Sequence, residues 1–92
     1  MSEARRTIEI TNQRGLHARA SAKFVNIVSQ LPDGHDVRVA KDGNEAGGGS
    51  ILGLMMLGAA KGDTVELIVE GAEADAVLNK LSGLIIDRFG ED

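Results

Sequence analysis

The hydrophobic periodicity of this chain changes several times along its length, and this alternation limits the folds that the chain can adopt. Polar and apolar residues alternate, as in half-buried strands, at residues 7–11, 36–40 and 64–70. Two longer segments, residues 18–31 and 73–89, instead carry apolar side chains at helical spacing. The chain therefore combines strands and amphipathic helices in a mixed order.

Turn signals between these segments complete the predicted order. Asp42-Gly43 is typical of a tight hairpin, and the return strand would be residues 44–47. The Gly47-Gly48-Gly49 run predicts a flexible break. Ser50 then stands where a helix N-cap is expected, before a short apolar helix at residues 51–57. The order is β-α-β-β-α-β-α. One-sided strands in this order predict an antiparallel sheet with the helices on one face; the pairing order of the strands stays open.

Composition narrows the function classes. The 92 residues predict a single domain spanning residues 1–92, with an aliphatic core because aromatic residues make up only 2%. A net charge of -4 argues against a nucleic-acid partner. With no cysteine and two histidines, we expect neither a metal site nor a cofactor. No N-terminal apolar run and no segment of about 20 apolar residues occurs, so the sequence predicts a cytoplasmic protein without membrane insertion.

The candidate reactive residues of the chain lie in Gly15-Leu16-His17-Ala18-Arg19, where a polar loop meets the first predicted helix. Backbone N–H groups at a helix start, here those of Ala18 and Ala20, favour anions. A phosphoryl group on the His17 ring would meet these donors, and the Arg19 guanidinium is suited to its oxygens. A solvated surface histidine beside a solvated arginine is an equally good interpretation of these residues alone.

Two motifs resemble one known family. Gly15-Leu16-His17-Ala18-Arg19 is similar to the active-site motif of HPr, the histidine phosphocarrier of the bacterial phosphotransferase system. The segment from Ser50 to Gly58, with Lys61-Gly62-Asp63 after it, resembles the family's serine-helix signature. The spacing of the two motifs and the order of elements also match, so the resemblance covers about residues 6–90.

The resemblance implies an α+β fold, an open-faced β-sandwich in which a four-stranded antiparallel sheet lies under three helices. It implies that His17 carries the phosphoryl group on Nδ1 and that Arg19 steadies it. Enzyme I, phosphorylated from phosphoenolpyruvate, would be the donor and an EIIA-type protein the acceptor. The protein would then be a phosphoryl-transfer carrier rather than a stand-alone enzyme, working as a monomer.

A second implied site is Ser50, since the equivalent serine is phosphorylated by HPr kinase/phosphorylase in many bacteria. Two residues of the short helix, Leu54 and Leu57, are enough to form its face toward the core. The other apolar residues then form a predicted, partly exposed docking patch: Ile51, Leu52, Met55 and Met56. The alternative is that this helix is buried on more sides. Lys23 is a candidate basic contact for partners, and His35 is expected to be a solvated loop residue.

The chain departs from the family pattern at two places. Ala20 stands where the family usually has proline, and we expect transfer to survive because alanine is also tolerated in a first helical turn. The Gly47-Gly48-Gly49 run replaces bulkier residues of the family.

Two other functions stay open: a non-enzymatic HPr-like regulatory binder acting through docking and Ser50, and a small-ligand βαβ domain. The sequence does not distinguish sugar transport from the nitrogen-related branch.

Overall fold

Four strands form one antiparallel sheet in the computed structural model, which describes residues 3–91. The strands are β1 (Glu3–Glu9), β2 (Asp36–Lys41), β3 (Asn44–Gly47) and β4 (Thr64–Glu70), paired in the order β1-β4-β2-β3. The helices are α1 (Ala18–Ser29), α2 (Ile51–Met56) and α3 (Ala74–Ile86), followed by a 3-10 turn, Arg88–Gly90, called the C-terminal turn below. The open sheet with three helices confirms the predicted fold class.

The core lies between the helices and one face of the sheet. Strand β4 contributes Val65, Leu67 and Val69 to this core, and both phenylalanines of the chain, Phe24 and Phe89, are buried in it. Alternate residues of a strand point to opposite faces, which is why these three β4 residues share one side. No helix within residues 3–91 is long and apolar enough to cross a membrane.

The other face of the sheet is covered by ion pairs rather than by helices. Ile68 points to this side and is fully buried, although it lies outside the helix-covered core. Its neighbours in register are Arg5 on β1 and Arg38 on β2. Arg5 pairs with Glu3 and Glu66, and Arg38 with Asp36 and Glu45. The stems of the two arginines can shield Ile68 while their charged ends stay in water.

The first strand begins earlier than its sequence pattern predicts. The predicted strand covered residues 7–11, whereas β1 pairs with β4 from Glu3 to Glu9. The pattern is hidden because Arg6 occupies a helix-facing position between Ala4 and Ile8. There its guanidinium donates to Asn79 Oδ1 of α3 at 2.9 Å. The polar residue is satisfied by a distant helix, which local periodicity does not show.

The last helix is shorter than predicted. It ends at Ile86 instead of Phe89, and Arg88 and Phe89 both adopt a left-handed conformation with φ of 56°. Arg88 is therefore not in the last helical turn. Phe89 lies four residues after the buried Ile85, so its spacing imitates a continued helix. At the other end, the pattern predicts a start at residue 73, but Glu73 is the left-handed N-cap residue, and Asp75 is the acidic residue in the first turn.

Two loop predictions are also corrected. The Gly47-Gly48-Gly49 run is not an open break, because Gly48 N–H donates to the Val37 carbonyl at 2.7 Å and a Cβ on Gly48 would meet Val37 Cγ1 at 2.8 Å. His35 is half-buried rather than solvated. Its Nδ1 lies 2.9 Å from the Pro32 carbonyl oxygen and its Nε2 2.8 Å from that of Ala72.

Candidate functional site

His17 is the N-cap residue of α1, with extended backbone angles of φ -76° and ψ -179°. Its carbonyl accepts the first helical hydrogen bond, from Ser21 N–H at 2.9 Å. Ala18, Arg19 and Ala20 are the first three helical residues, so their N–H groups have no acceptor within the helix. Ala18 and Arg19 are exposed, whereas Ala20 is fully buried. The sequence thus places the histidine beside backbone donors that favour an anion.

The loop before His17 is held in one conformation by the segment that follows α2. Gly15 has a φ of 62°, and a Cβ at this position would collide with the Ala59 carbonyl oxygen. That same oxygen accepts a hydrogen bond from Leu16 N–H at 2.9 Å. The buried Asn12 Nδ2 donates to the Gly15 carbonyl at 2.8 Å. Only glycine combines this φ with so close an approach, so Gly15 fixes where the helix starts.

A carboxylate that the sequence did not predict lies against the histidine ring. Glu91 Oε2 is 2.8 Å from His17 Nε2, and Glu91 Oε1 is 3.2 Å from Asn12 Nδ2. The His17 and Glu91 side chains are only 14% and 17% exposed. Burial raises the pKa of Glu91, but hydrogen bonds from Asn12 and His17 lower it more, so its pKa lies below the ordinary value. Glu91 is therefore ionised at neutral pH.

Three cationic side chains line a shallow cavity next to this pair: Arg14, Arg19 and Lys23, together with Gln13, Gly90 and Glu91. The cavity could hold a small anion, since arginine forks match phosphate oxygens. Lys23, the predicted basic contact for partners, is partly engaged within the chain, because its ammonium group donates to the Phe89 carbonyl at 2.6 Å. Its charge still faces the cavity, but part of its hydrogen-bonding capacity is used inside the chain.

Ser50 caps α2 as predicted, with Gly53 N–H donating to its hydroxyl oxygen at 2.9 Å. Leu54 is fully buried and Leu57 partly so, which leaves the docking patch on the outer face of the helix. The exposed fractions are 40% for Ile51, 67% for Leu52, 40% for Met55 and 77% for Met56. The predicted exposure is confirmed. Helix α2 packs against α1, the helix that His17 begins.

The sequence therefore predicted one half of this cluster of side chains, the part on α1. His17 to Ala20 are adjacent in sequence, and Lys23 follows one turn later on α1. Asn12 and Glu91 were missed. Asn12 precedes a glycine by three residues in a polar loop, which is a weak turn signal. Glu91 gave no signal, because its proximity to His17 depends on the left-handed residues Arg88 and Phe89.

The family model for the PTS HPr component phosphorylation site matches residues 4–87. The phosphocarrier protein HPr of Neisseria meningitidis serogroup A is 46% identical over 87 residues, covering 95% of this chain and 96% of that protein. The phosphocarrier protein NPr of Shewanella violacea is 33% identical over 91 residues, covering 99% and 98%. A crystal structure of HPr from Thermoanaerobacter tengcongensis superposes with a TM-score of 0.86 at 39% identity, covering 100% of this chain and 99% of that one. With its sheet order, its helix-start histidine and these matches, the chain belongs to the HPr family, the phosphocarriers of the phosphotransferase system.

Proposed function

We propose that this chain accepts a phosphoryl group on Nδ1 of His17 from phosphorylated enzyme I and passes it to an EIIA-type protein. The position of His17 as the N-cap of α1 is the observation that carries this proposal. When His17 is loaded, a bond forms between Nδ1 and phosphorus while the bond from phosphorus to the donor nitrogen breaks, and its electron pair returns to that nitrogen. When the group is passed on, the acceptor nitrogen bonds to phosphorus, the bond to Nδ1 breaks, and its electron pair returns to Nδ1. Residues 1–92 act as one domain, as a monomer in the cytoplasm.

The first turn of α1 supports this role electrostatically. The phosphoryl group carries negative charge, and the unpaired N–H groups of Ala18, Arg19 and Ala20 form the positive end of the helix dipole. The Arg19 guanidinium is exposed and lines the adjacent cavity, where it can reach oxygens of the group during transfer. Alanine at position 20 keeps an N–H that proline would remove, and because Ala20 is buried this donor contributes to the helix dipole rather than to a direct contact. We expect transfer to proceed without the family's proline.

The docking patch is the proposed contact with enzyme I and the EIIA-type protein. Ile51, Leu52, Met55 and Met56 form a contiguous apolar surface on one short helix, and methionine side chains adapt to partners of different shape. Lys23 adds a positive charge near the cavity. Both partners would use the same patch, so the carrier would meet them in turn rather than together.

Ser50 is the proposed regulatory site, with HPr kinase/phosphorylase as the modifying partner. The Ser50 residue is exposed and begins the helix that carries the docking patch. A phosphate at a helix N-terminus is electrostatically favourable, so modification would leave α2 folded. It would instead place negative charge beside the apolar contact surface and weaken docking.

Labelling with phosphoenolpyruvate and purified enzyme I tests the transfer. We expect one acid-labile phosphate per chain, absent after His17→Ala and present after the control change His35→Ala. Arg19→Ala should keep the stoichiometry but slow labelling by roughly 10- to 100-fold, as expected for one charged hydrogen-bond donor. An unlabelled wild-type protein that still binds enzyme I would contradict the proposal and favour the regulatory binder.

Incubation of the labelled protein with sugar-type and nitrogen-type EIIA proteins distinguishes the two branches. Both HPr and NPr are among the relatives, at 46% and 33% identity. Faster loss of phosphate to one class of acceptor identifies the branch. Equal rates would indicate a carrier shared between sugar transport and nitrogen-related regulation.

A further inference from the structure

We propose that Glu91 is a positioning residue for phosphoryl transfer: its carboxylate keeps His17 protonated on Nε2 and so leaves Nδ1 as the nucleophilic nitrogen. This inference rests on the proposed phosphocarrier function and explains how one of two similar ring nitrogens is selected. The two nitrogens of a neutral imidazole are chemically close, and the hydrogen bond made by one sets the protonation of the other.

The hydrogen-bond geometry supports one tautomer. An ionised carboxylate has no proton to donate, so the 2.8 Å contact between Glu91 Oε2 and His17 Nε2 requires a proton on Nε2. In the neutral ring Nδ1 then carries the lone pair. Within residues 3–91, His17 makes its side-chain hydrogen bond through Nε2. The ring is thus held by one nitrogen and open at the other.

The C-terminal turn is built in a way that brings Glu91 back to His17. Arg88 and Phe89 both have a φ of 56°, which is unfavourable for residues with a Cβ. Such a conformation persists only where surrounding contacts impose it. Two contacts do so here: the Phe89 side chain is fully buried, and its carbonyl accepts from Lys23 Nζ at 2.6 Å.

Asn12 fixes the carboxylate from its other side. Its Nδ2 contacts both the Gly15 carbonyl at 2.8 Å and Glu91 Oε1 at 3.2 Å. The same amide group therefore connects the loop that presents His17 with the carboxylate that orients the ring. This bridge leaves Glu91 Oε2 for the histidine, so the acceptor is already in place before a phosphoryl donor arrives.

The Glu91 carboxylate also stabilises the positive charge that forms on the His17 ring during transfer. When the Nδ1 lone pair attacks phosphorus, positive charge develops on the ring while the donor nitrogen takes up the electron pair of the broken bond. The Nε2 proton stays on the ring, and the nearby carboxylate stabilises the positive charge there. A carboxylate also orients the general-base histidine of a Ser-His-Asp triad, although there it binds Nδ1 and leaves Nε2 as the reacting nitrogen. When His17 passes the group on, this charge disappears again.

Phosphoramidate is a suitable probe because this small donor phosphorylates imidazole nitrogens, releasing ammonia, without any partner protein. We expect wild-type protein to be labelled on His17 almost entirely at Nδ1, as assigned by NMR of the ring. Glu91→Ala frees Nε2, so the share of label on Nε2 should rise about tenfold, the change expected from one charge-assisted hydrogen bond. Glu91→Gln keeps an acceptor oxygen and should restore most of the Nδ1 selectivity.

The matched control is Glu45→Ala, which removes a glutamate that pairs with Arg38 on the opposite face of the sheet. It should leave the Nδ1 to Nε2 ratio unchanged. Circular dichroism checks that each variant is folded. A wild-type ratio in Glu91→Ala would overturn the positioning role. A wild-type protein that takes phosphate from phosphoramidate but not from enzyme I would instead contradict the proposed function, so the two failures are distinct.

Discussion

The two histidines of the chain have opposite hydrogen-bonding environments. His17 contacts a carboxylate through Nε2 and has Nδ1 available, whereas both ring nitrogens of His35 face backbone carbonyl oxygens, those of Pro32 and Ala72. Carbonyl oxygens only accept, so His35 satisfies both contacts only when both nitrogens are protonated. The environment of His17 suits the nucleophilic role that we propose for it, whereas the environment of His35 suits a charged link between two loops.

The pKa of His35 is raised by the Pro32 carbonyl, then by the Ala72 carbonyl, with a further contribution from the charge of Glu73. The folded state thus binds the His35 proton more tightly than the unfolded state. The resulting stabilisation is complete below the unfolded pKa of about 6.5 and is lost as pH rises through the higher folded pKa. We expect the urea midpoint of the wild type to fall between about pH 5.5 and pH 8.5 by more than that of His35→Gln.

The difference between the two pH profiles reports on His35, because every other ionisable group is common to both proteins. Parallel pH profiles of the wild type and His35→Gln would contradict the proposed charged link. An intact enzyme I-dependent label on His17 in His35→Gln would show that the two histidines act independently.

Residue by residue, the sequence predicts those site members that belong to one local motif. His17, Arg19 and Ala20 follow from a loop that meets a helix, and Ser50 from a cap before an apolar segment. Glu91 does not follow, because it is 74 positions from His17 and reaches it through two left-handed residues. Local propensity disfavours that conformation, and the burial of Phe89 together with the hydrogen bond from Lys23 to its carbonyl holds it in place.

Among the elements, α2 depends most on its cap, since six residues are too few for a helix that is stable alone. Ser50→Ala removes the acceptor for Gly53 N–H and should lower the free energy of unfolding by about 1 kcal/mol. Ser50→Asp keeps an acceptor at the cap and should be nearly as stable as the wild type. Urea unfolding of the three proteins measures both effects.

Ser50→Asp also separates stability from docking. Its added negative charge lies beside the docking patch, so labelling by enzyme I should slow while the fold stays intact. Ser50→Ala should label at the wild-type rate under conditions where it is folded. Equal labelling rates for all three proteins would contradict a regulatory role for this serine.

The sequence predicts the boundaries of helices and strands well where a local signal marks them, and poorly where a contact with a residue far away in the sequence determines them. The Ser50 cap and the Asp42-Gly43 turn gave correct starts for α2 and β3. The start of β1 and the end of α3 were wrong, because Arg6 is satisfied by Asn79 and Phe89 is buried after a break in the helix. In both cases the deciding partner is far away in the sequence.

At the scale of the whole molecule, Phe89 is a core residue that also anchors the C-terminal turn, which places Glu91 beside His17. It is fully buried, and with Phe24 it supplies all the aromatic side chains of the chain. Phe89→Ala should lower the free energy of unfolding by about 3–5 kcal/mol, the usual effect of truncating a buried aromatic residue. Domains are typically stable by only about 5–15 kcal/mol, so the variant would be marginal.

Phe89→Leu provides a folded counterpart, because it keeps most of the apolar volume. We expect it to lose less stability than Phe89→Ala in urea unfolding and to remain folded at room temperature. A loss of less than about 1 kcal/mol in Phe89→Ala would show that the C-terminal turn is not anchored by this side chain.

The strand order β1-β4-β2-β3 could not be predicted from the sequence, since several pairings bury the same apolar faces. One signal does point to a central position for β4: Leu67, Ile68 and Val69 are consecutive and all fully buried. A central strand has a neighbouring strand at each edge, and side chains of those neighbours can shield apolar residues on both of its faces, whereas the edge strands β1 and β3 alternate or are short. The covering of Ile68 by Arg5 and Arg38 follows from that position.

The distance in sequence between His17 and Glu91 has a consequence during protein synthesis. A ribosome that adds about 5–20 residues per second takes roughly 4–15 s to cover the 74 positions between them. For that interval the nascent chain carries the histidine without the carboxylate that orients it. Both ring nitrogens are then open to a phosphoryl donor, so the choice between them becomes a property of the finished molecule and not of the active-site motif alone.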